Sequence, residues 1–481
     1  MSEGRSLIRK TGVIGASNII TSASALILVP ILTKSIPVED YGVWVVFMAT
    51  VTLVPRVTLF GLPGALARFL PARRDDPKAV RDLFYSSASL VLLAAGSATV
   101  LLLLLSGPIA SAILKNDILI AQTLAVVVLL EAVVSLIQGY YRAFLKTKTH
   151  FMITTSRTVL EIAFVSSFVL LGHGIVGAVL GVLAARVVLI VPTMALVVRE
   201  IGLERPDLGH LTDLLRFGVP TMPAGLSEWI VKSSDRYLIG FLLGAAFVGY
   251  YSPAYTLGDL IVMMVAPIAF VLTPALSRYY DENKMDRVRR TLQKSIRYYL
   301  LLAIPAAFGV SLLSETLLEI ISTSAIASNA YLITPIVALA AILLGLFKIF
   351  SNVIMLIKRT KVIGSIWIAM AGLNLIINFT MIPVVGIVGA ALSTLLAYGG
   401  AFVLMVFVSS RHIKVSIDHA FILKSVLASV AMSGIIVLWG AQGLTWVLLE
   451  ILACIGVYFS VLYLVGGIDK EEIRYFASVL R

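Results

Sequence analysis

The chain is dominated by long apolar runs, each close to the roughly 20 residues that a membrane-spanning helix needs. Because 59% of its 481 residues are hydrophobic and only 13% are charged, a soluble core could not bury this apolar surface. The sequence therefore predicts an all-α integral membrane protein with about fourteen spanning helices. The predicted runs are 12–33, 41–63, 83–105, 118–140, 152–172, 174–198, 214–234, 246–270, 296–318, 330–357, 362–382, 385–409, 419–439 and 443–465.

Part of the sequence occurs twice. The pentapeptide GIVGA opens two of the apolar runs, at 174–178 and at 386–390. Matches at similar offsets in the same order indicate a duplication of about 200 residues, and hence two parallel six-helix repeats and two additional C-terminal helices. The further matches are KTK at 146–148 with RTK at 359–361, ALARF at 65–69 with ALSRY at 275–279, and YGVW at 41–44 with VGYY at 248–251. The predicted division is an N-lobe 1–205, a C-lobe 206–412, and 413–481 with the last two helices and a tail.

The basic residues alternate between the connections. Most of the 38 Lys and Arg residues fall in every second connection, and the positive-inside rule assigns those connections to the cytoplasm. We therefore expect a multi-pass protein of the cell membrane with both termini cytoplasmic. The net charge of +12 then follows from topology, and no nucleic-acid partner is predicted. The opposite connections are too short to hold a soluble catalytic domain, which favours a transporter over an enzyme.

Two connections allow more than one interpretation. Residues 278–297 place Met285, Val288, Leu292 and Ile296 on one helical face with cations opposite, which suits either a helix lying on an anionic membrane surface or an ordinary solvated connector. Glu39 and Asp40 superficially resemble the acidic metal motif of membrane glycosyltransferases, but we expect Asp40 to cap the second helix. One cysteine and five histidines without ligand spacing predict no metal site.

Four cations lie inside apolar runs: Arg56, Arg157, Arg186 and Lys348. Each would cost about 2.5–3.5 kcal/mol at the centre of a membrane helix, so they must face a water-filled interior or be paired. Arg157 precedes Glu161 by four residues, and this pair could neutralise itself. Arg186 and Lys348 have no such partner on their own helices. We expect Arg56, Arg186 and Lys348 to line a cavity.

Other polar residues recur at helical spacing. We expect Lys232 and Arg236 to join the cavity, and Gln138, Asn374 and Asn378 to make interhelical hydrogen bonds. Small residues at every fourth position, such as Gly177, Gly181 and Ala185, predict close helix packing. Several charged residues remain candidates for either counter-ions or coupling-ion ligands, namely Glu131, Arg157, Glu161, Glu228, Asp235 and Asp259.

A cavity lined by arginine and lysine suits an anionic headgroup. A phosphate cannot cross hydrocarbon without a large desolvation cost, and guanidinium groups bind phosphate oxygens in a bidentate manner. We therefore predict a lipid-linked phosphate or pyrophosphate sugar as the transported molecule.

Three segments carry a family resemblance. YGVWVVFMATV at 41–51, GLPGALARFLP at 61–71 and SSDRYLIGFLLGAAFVGYYSPAYTLGD at 233–259 resemble polysaccharide-biosynthesis flippases of the Wzx-like, O-antigen-translocase branch. This branch belongs to the MOP superfamily, together with MurJ-type lipid II flippases and MATE exporters.

The resemblance implies a cationic cavity formed by the first, second, seventh and eighth helices, alternating access, and H+ or Na+ as a coupling ion. It also implies a polyprenyl-linked saccharide, membrane lipids and other polysaccharide-assembly proteins as partners, and no bound cofactor. The first helix has Asn18 and no arginine, unlike MurJ-type flippases, which makes lipid II a less expected substrate. The residues implicated are Asn18, Ser22, Arg56, Glu228, Lys232, Asp235, Arg236 and Asp259.

Two other functions fit less well. A MATE-like multidrug or cation exporter would have twelve helices and an acidic cavity, whereas the cations here predict a basic one. A membrane glycosyltransferase using a lipid-linked donor would need a larger outside loop.

Overall fold

The computed structural model describes residues 27–206, 209, 211–440 and 443–468. Asn18, Ser22 and both termini lie outside these described residues, as does most of the first predicted run. The described chain is helical throughout, with short loops. The helices of its first half are 27–35 (α1), Val38–Thr58 (α2), Leu62–Phe69 (α3), Pro77–Leu104 (α4), Ser106–Ile113 (α5), Ile118–Ala143 (α6), Thr147–Phe168 (α7), Gly174–Ile201 (α8), Leu211–Gly218 (α9) and Met222–Leu242 (α10).

The second half continues in the same manner. Its helices are Ala245–Asp259 (α11), Val265–Asp281 (α12), Met285–Leu312 (α13), Ser314–Ile321 (α14), Ser324–Ala330 (α15), Ile333–Leu356 (α16), Thr360–Val385 (α17), Ile387–Ser410 (α18), His419–Trp439 (α19) and Leu444–Leu464 (α20).

The helix boundaries repeat along the chain. Helices α4 and α13 are both 28 residues long, helices α5 and α14 are both eight, and each pair is offset by 208 positions at both ends. Helices α7 and α17 begin at the threonines of the KTK and RTK segments, after left-handed Leu145 (φ 52°) and Lys358 (φ 58°). Gly174 and Gly386, the first residues of the two GIVGA segments, have φ of 57° and 65°. The duplication read from the sequence is therefore present in the local backbone.

Eleven helices of the described chain are long and apolar enough to cross a membrane. One of these spans, Thr147–Ile201, takes in both α7 and α8, which are joined through left-handed Gly172 (φ 87°), and it covers the fifth and the sixth predicted runs. Helix α10 is not among the eleven because Glu228, Lys232, Asp235 and Arg236 lie within its 21 residues. It also begins eight residues later than the predicted run 214–234, since Gly218 and Pro220 separate it from α9.

The chain divides into two compact units. The first comprises Met1–Ser252 and Trp367–Gly386, and the second comprises Pro253–Ile366 and Ile387–Arg481. In the first unit, α6 is central and packs against α2, α3, α4, α5, α7 and α8. In the second, α16 packs against α12, α13 and α18, while α13 also packs against α19. The division at residues 205 and 412 stays a prediction.

Several helices cross with their backbones in contact. A Cβ placed on Gly181 would lie 2.8 Å from the Cα of Val165, which confirms the close α7–α8 packing predicted from the small-residue spacing. Gly42 and Gly249 make a reciprocal contact between α2 and α11. A Cβ on Gly42 would lie 1.8 Å from the Ala245 carbonyl oxygen, and one on Gly249 would lie 2.1 Å from that of Val38.

The predicted cap of the second helix is wrong. Pro37 is the N-cap of α2, and no side chain of the described residues caps it, because the proline fixes the entry into the helix and Asp40 is already in the first turn. The Asp40 carboxylate instead accepts a 2.7 Å hydrogen bond from Lys115, whose ammonium also lies 3.2 Å from Glu39.

Replacing Lys115 with methionine should lower stability by less than about 1 kcal/mol, because the ion pairs are solvent-exposed. The hydrogen bond that the Lys115 ammonium donates to Asp40 raises the pKa of Lys115 above its ordinary value. A raised lysine pKa gives stability that is fully present below the unfolded value of about 10.4 and is lost as the pH rises through the folded value. Thermal unfolding midpoints of the two proteins should therefore differ equally at pH 6 and pH 8, and a larger gap at one of these values would contradict the assignment.

The predicted surface helix at 278–297 is also wrong. Residues from Met285 onward are the first turns of α13, which continues to Leu312. Val288, Leu292 and Ile296 are buried against the protein, so this apolar stripe packs in the second unit and does not face lipid.

Candidate functional site

A cavity of about 540 Å³ lies within the first unit. We call it the Arg56 pocket. Arg56, Arg142 and His150 supply its basic groups, and no Asp or Glu is among the described residues that line it. Its other lining residues are Leu59, Gly61, Pro63, Gly64, Ser135, Gln138, Thr221, Met222, Gly225 and Leu226.

The pocket forms where two helix breaks meet. Helix α2 ends after Pro55 and Arg56, and the chain turns through Phe60 (φ 47°) and Gly61 (φ 68°) into α3. A Cβ on Gly61 would lie 2.3 Å from the Gly218 carbonyl oxygen, and one on Gly218 would lie 2.3 Å from that of Phe60. Only glycine permits this approach, which brings the end of α2 beside the start of α10.

The basic groups are only partly engaged by the protein. The Arg56 guanidinium donates a long 3.4 Å hydrogen bond to the Gly225 carbonyl and is otherwise exposed. Gln138 donates to Thr154 at 3.3 Å, which confirms its predicted interhelical bond. The Nδ1 atom of His150 is buried and has no hydrogen-bond partner in the part of the chain that the structure describes. These groups can accept an anionic ligand without first breaking an ion pair.

In a second cluster of charges, the arginines are paired with carboxylates. The fully buried Arg186 guanidinium donates to Glu131 at 2.8 Å and to Glu161 at 2.6 Å, and the Arg157 guanidinium forms an ion pair with Glu131 at 2.9 Å. We call this the Glu131 network. The network joins α6, α7 and α8. Arg157 and Glu161 are i, i+4 neighbours on α7, but Arg157 pairs with Glu131 of α6 and Glu161 pairs with Arg186 of α8. Arg186, which the sequence predicts in the cavity, therefore has two carboxylate partners.

A third cluster lies on α10 and α11. The buried Asp235 carboxylate accepts hydrogen bonds from the Tyr251 hydroxyl at 2.6 Å and from the Arg236 guanidinium at 2.7 Å. The same guanidinium donates to the Lys232 carbonyl and lies 5.7 Å from the Tyr251 ring centroid. Arg236 is thus held against α10, with only 12% of its side chain exposed.

The remaining predicted site residues are dispersed. Glu228 and Lys232 are exposed on α10, and Asp259 and Lys348 are partly buried in the second unit. The predicted interhelical bond of Asn374 is confirmed, since it accepts from Ser234 of α10 at 3.4 Å. The hydrogen bond of Asn378 instead lies within α17, where its amide donates to Asn374 at 3.1 Å.

Two basic residues of the pocket, Arg142 and His150, were not predicted as site residues. Arg142 follows Gln138 by one helical turn, so the polar face of α6 contained a signal for it. His150 gave no signal, because its approach to α6 depends on the tight turn at Leu145 (φ 52°).

The fold is that of MOP superfamily transporters. It matches the lipid II flippase MurJ in an inward closed conformation with a TM-score of 0.77 and 17% identity, over 98% of this chain and 100% of that one. It also matches an inward-facing multidrug resistance MATE family transporter with a TM-score of 0.66 and 16% identity, over 82% and 94%.

The chain belongs to the polysaccharide biosynthesis protein family, whose model matches residues 31–331. Two similar proteins of Haloferax volcanii have names that describe flippases and not enzymes. The probable low-salt glycan biosynthesis flippase Agl15 is 24% identical over 261 residues, 54% of this chain and 55% of that protein. The probable flippase AglR is 26% identical over 237 residues, 42% and 48%. The chain thus spans about half the length of these curated relatives.

Proposed function

We propose that this protein is a flippase that moves a polyprenyl phosphate- or pyrophosphate-linked oligosaccharide, or a polysaccharide repeat unit, from the cytoplasmic to the outer leaflet by alternating access. The observation that carries the proposal is the Arg56 pocket, where two arginines and a histidine have no carboxylate beside them in the lining. Family membership supports the same class of transported molecule, since both named relatives are flippases.

The pocket suits the charged end of such a molecule. Two guanidinium groups bind phosphate oxygens through short, charge-assisted hydrogen bonds. The volume of about 540 Å³ is within the usual range for small-molecule sites, which is enough for a phosphate group and the first sugar. Ser135, Gln138 and Thr221 supply neutral hydrogen-bonding groups of the kind that sugars need.

The MATE-like alternative fits this pocket poorly. An exporter of cationic drugs needs carboxylates where its substrate binds, and the described lining has none. We likewise propose that both termini are cytoplasmic and that other polysaccharide-assembly proteins are partners.

The charged residues predicted for ion coupling differ in their surroundings. Glu131, Arg157 and Glu161 are engaged in the Glu131 network, which supports a structural role. We propose Asp235 and Asp259 as the candidates for H+ or Na+ coupling, because they lie on or next to α11, outside that network.

The test is flipping by the purified protein in proteoliposomes. A fluorescent polyprenyl diphosphate oligosaccharide is reconstituted, and an impermeant quencher reports how fast it changes leaflet. The Arg56→Ala/Arg142→Ala variant should flip the lipid at least about 100-fold more slowly, since two charge-assisted hydrogen bonds of about 1.5–3 kcal/mol each sum to at least about 3 kcal/mol.

The matched control is Arg68→Ala/Lys78→Ala, which removes two exposed cations of the same unit. It should flip at the wild-type rate. Wild-type flipping by the Arg56→Ala/Arg142→Ala protein, or equal loss in both variants, would overturn the assignment of the pocket.

A further inference from the structure

The second unit contains a separate basic cavity of about 440 Å³. One wall is α13, which contributes Arg290, Lys294 and Arg297. The other is the start of α19, which contributes the N-cap Asp418 and Phe421 of the first turn. We call it the α13 cavity. We propose that it binds the phosphate headgroup of an anionic membrane lipid.

The charges in the α13 cavity are unbalanced. The three cations are at positions i, i+4 and i+7, so they share one helical face and repel one another. Asp418 is the lining carboxylate, and one of its oxygens already accepts the 2.9 Å capping hydrogen bond from the Phe421 amide. Its other oxygen lies 3.6 Å from Arg297. Arg290 and Lys294 have no ion-pair partner in the described chain, and a bound anion would relieve their repulsion.

One of the cations is held in a fixed orientation. The Arg297 guanidinium donates a 2.9 Å hydrogen bond to the Gly467 carbonyl and lies 4.8 Å from the Phe421 ring centroid. These contacts hold the Arg297 guanidinium in place, with 28% of the side chain exposed, whereas Arg290 and Lys294 are exposed. The site is therefore partly preorganised and remains open to a ligand.

The position of the cavity indicates a lipid as the source of the anion. Arg297 is the last charged residue of α13, and the fifteen residues from Tyr298 to Leu312 carry no charge. The cations thus lie where a spanning helix leaves the apolar layer, which is the depth of lipid headgroups. Ile296, Leu300 and Phe421 add an apolar wall that suits the glycerol and upper acyl chain.

The experiment compares two double variants of the full-length protein. Arg290→Ala/Lys294→Ala removes two cations from the cavity, and both are exposed, so folding is not at risk. Arg287→Ala/Arg289→Ala removes two from the same turns of α13 that do not line the cavity; Arg289 pairs with Asp286 and Arg287 lies over Tyr279. Binding of short-chain phosphatidylglycerol to each protein in phosphatidylcholine nanodiscs is measured by native mass spectrometry.

The cavity variant should bind phosphatidylglycerol roughly 10- to 30-fold more weakly than wild type, since each interfacial cation is worth about 1 kcal/mol. The Arg287→Ala/Arg289→Ala protein should stay within about twofold. Wild-type affinity in the cavity variant, or equal weakening in both variants, would overturn the proposal. Competition by inorganic phosphate at concentrations equal to the lipid would show that the site recognises free phosphate, which also overturns the lipid assignment. None of these results depends on flipping through the Arg56 pocket.

Discussion

Replacing Glu131 with alanine is expected to destabilise the protein by about 3–5 kcal/mol, the usual cost of removing one partner from a buried ion pair. Glu131 is the carboxylate that both arginines of the Glu131 network share. Without it Arg157 loses its carboxylate partner among the described residues, and Arg186, whose side chain is 0% exposed, keeps Glu161. The measurement is the thermal unfolding midpoint of the purified protein in detergent.

Two companion variants make this result specific. Glu228→Ala removes an exposed carboxylate from α10 and should cost less than about 0.5 kcal/mol. Glu131→Ala/Arg186→Met removes the buried arginine as well, and should recover most of the loss because apolar replacement of a buried ion pair is often neutral. In that protein Arg157 and Glu161 can pair as i, i+4 neighbours. If the midpoint of Glu131→Ala equals that of Glu228→Ala, the network does not stabilise the fold.

The double variant also decides between the two roles of Arg186. The sequence predicts this arginine in the cavity, whereas the structure surrounds it with carboxylates. If Glu131→Ala/Arg186→Met folds and flips normally, Arg186 serves the scaffold. A folded protein that no longer flips the lipid would show that Arg186 takes part in transport.

The sequence predicts the fold better than it predicts the partners of its charges. Length and polarity of the runs identify the spans, and the GIVGA segments identify the duplication, because both depend on local composition. Helical spacing assigns Gln138 to a polar face, but it does not show which helix that face meets. Arg157 illustrates the limit, since its nearest acid in the sequence is Glu161 and its partner in the fold is Glu131. His150 and Gly218 contribute through contacts between segments distant in sequence, which no local pattern encodes.

Replacing Gly42 with alanine is expected to destabilise the protein by about 3 kcal/mol, at the upper end for overpacking. The added Cβ would lie 1.8 Å from the Ala245 carbonyl oxygen. This oxygen belongs to the backbone at the start of α11, so neither a rotamer change nor a small side-chain shift removes the clash. The two helices must separate, and the Gly249 contact with Val38 is then lost as well.

The same substitution at Gly96 is the control. Gly96 lies in the interior of α4, where a Cβ meets no atom within 4 Å. Gly96→Ala should therefore be neutral or stabilise by up to about 1 kcal/mol, because alanine is the better helix former. Unfolding midpoints of both variants in detergent provide the comparison. Equal midpoints would mean that the α2–α11 crossing is looser in solution than in the structure.

The reciprocal crossing of Gly42 and Gly249 also constrains how the two halves of the gene can diverge. The residues that meet are equivalent in the duplication, since Gly42 corresponds to Gly249 and Val38 to Ala245, each 207 positions apart. A larger residue at either glycine would force α2 and α11 apart and so disturb the contact that the other glycine makes. A substitution in one copy therefore affects both. Ser135 and Lys348 are also equivalent positions, 213 apart. They are not part of this crossing and differ in charge. Duplication has left this protein free to specialise its polar residues, while the α2–α11 crossing constrains both copies together.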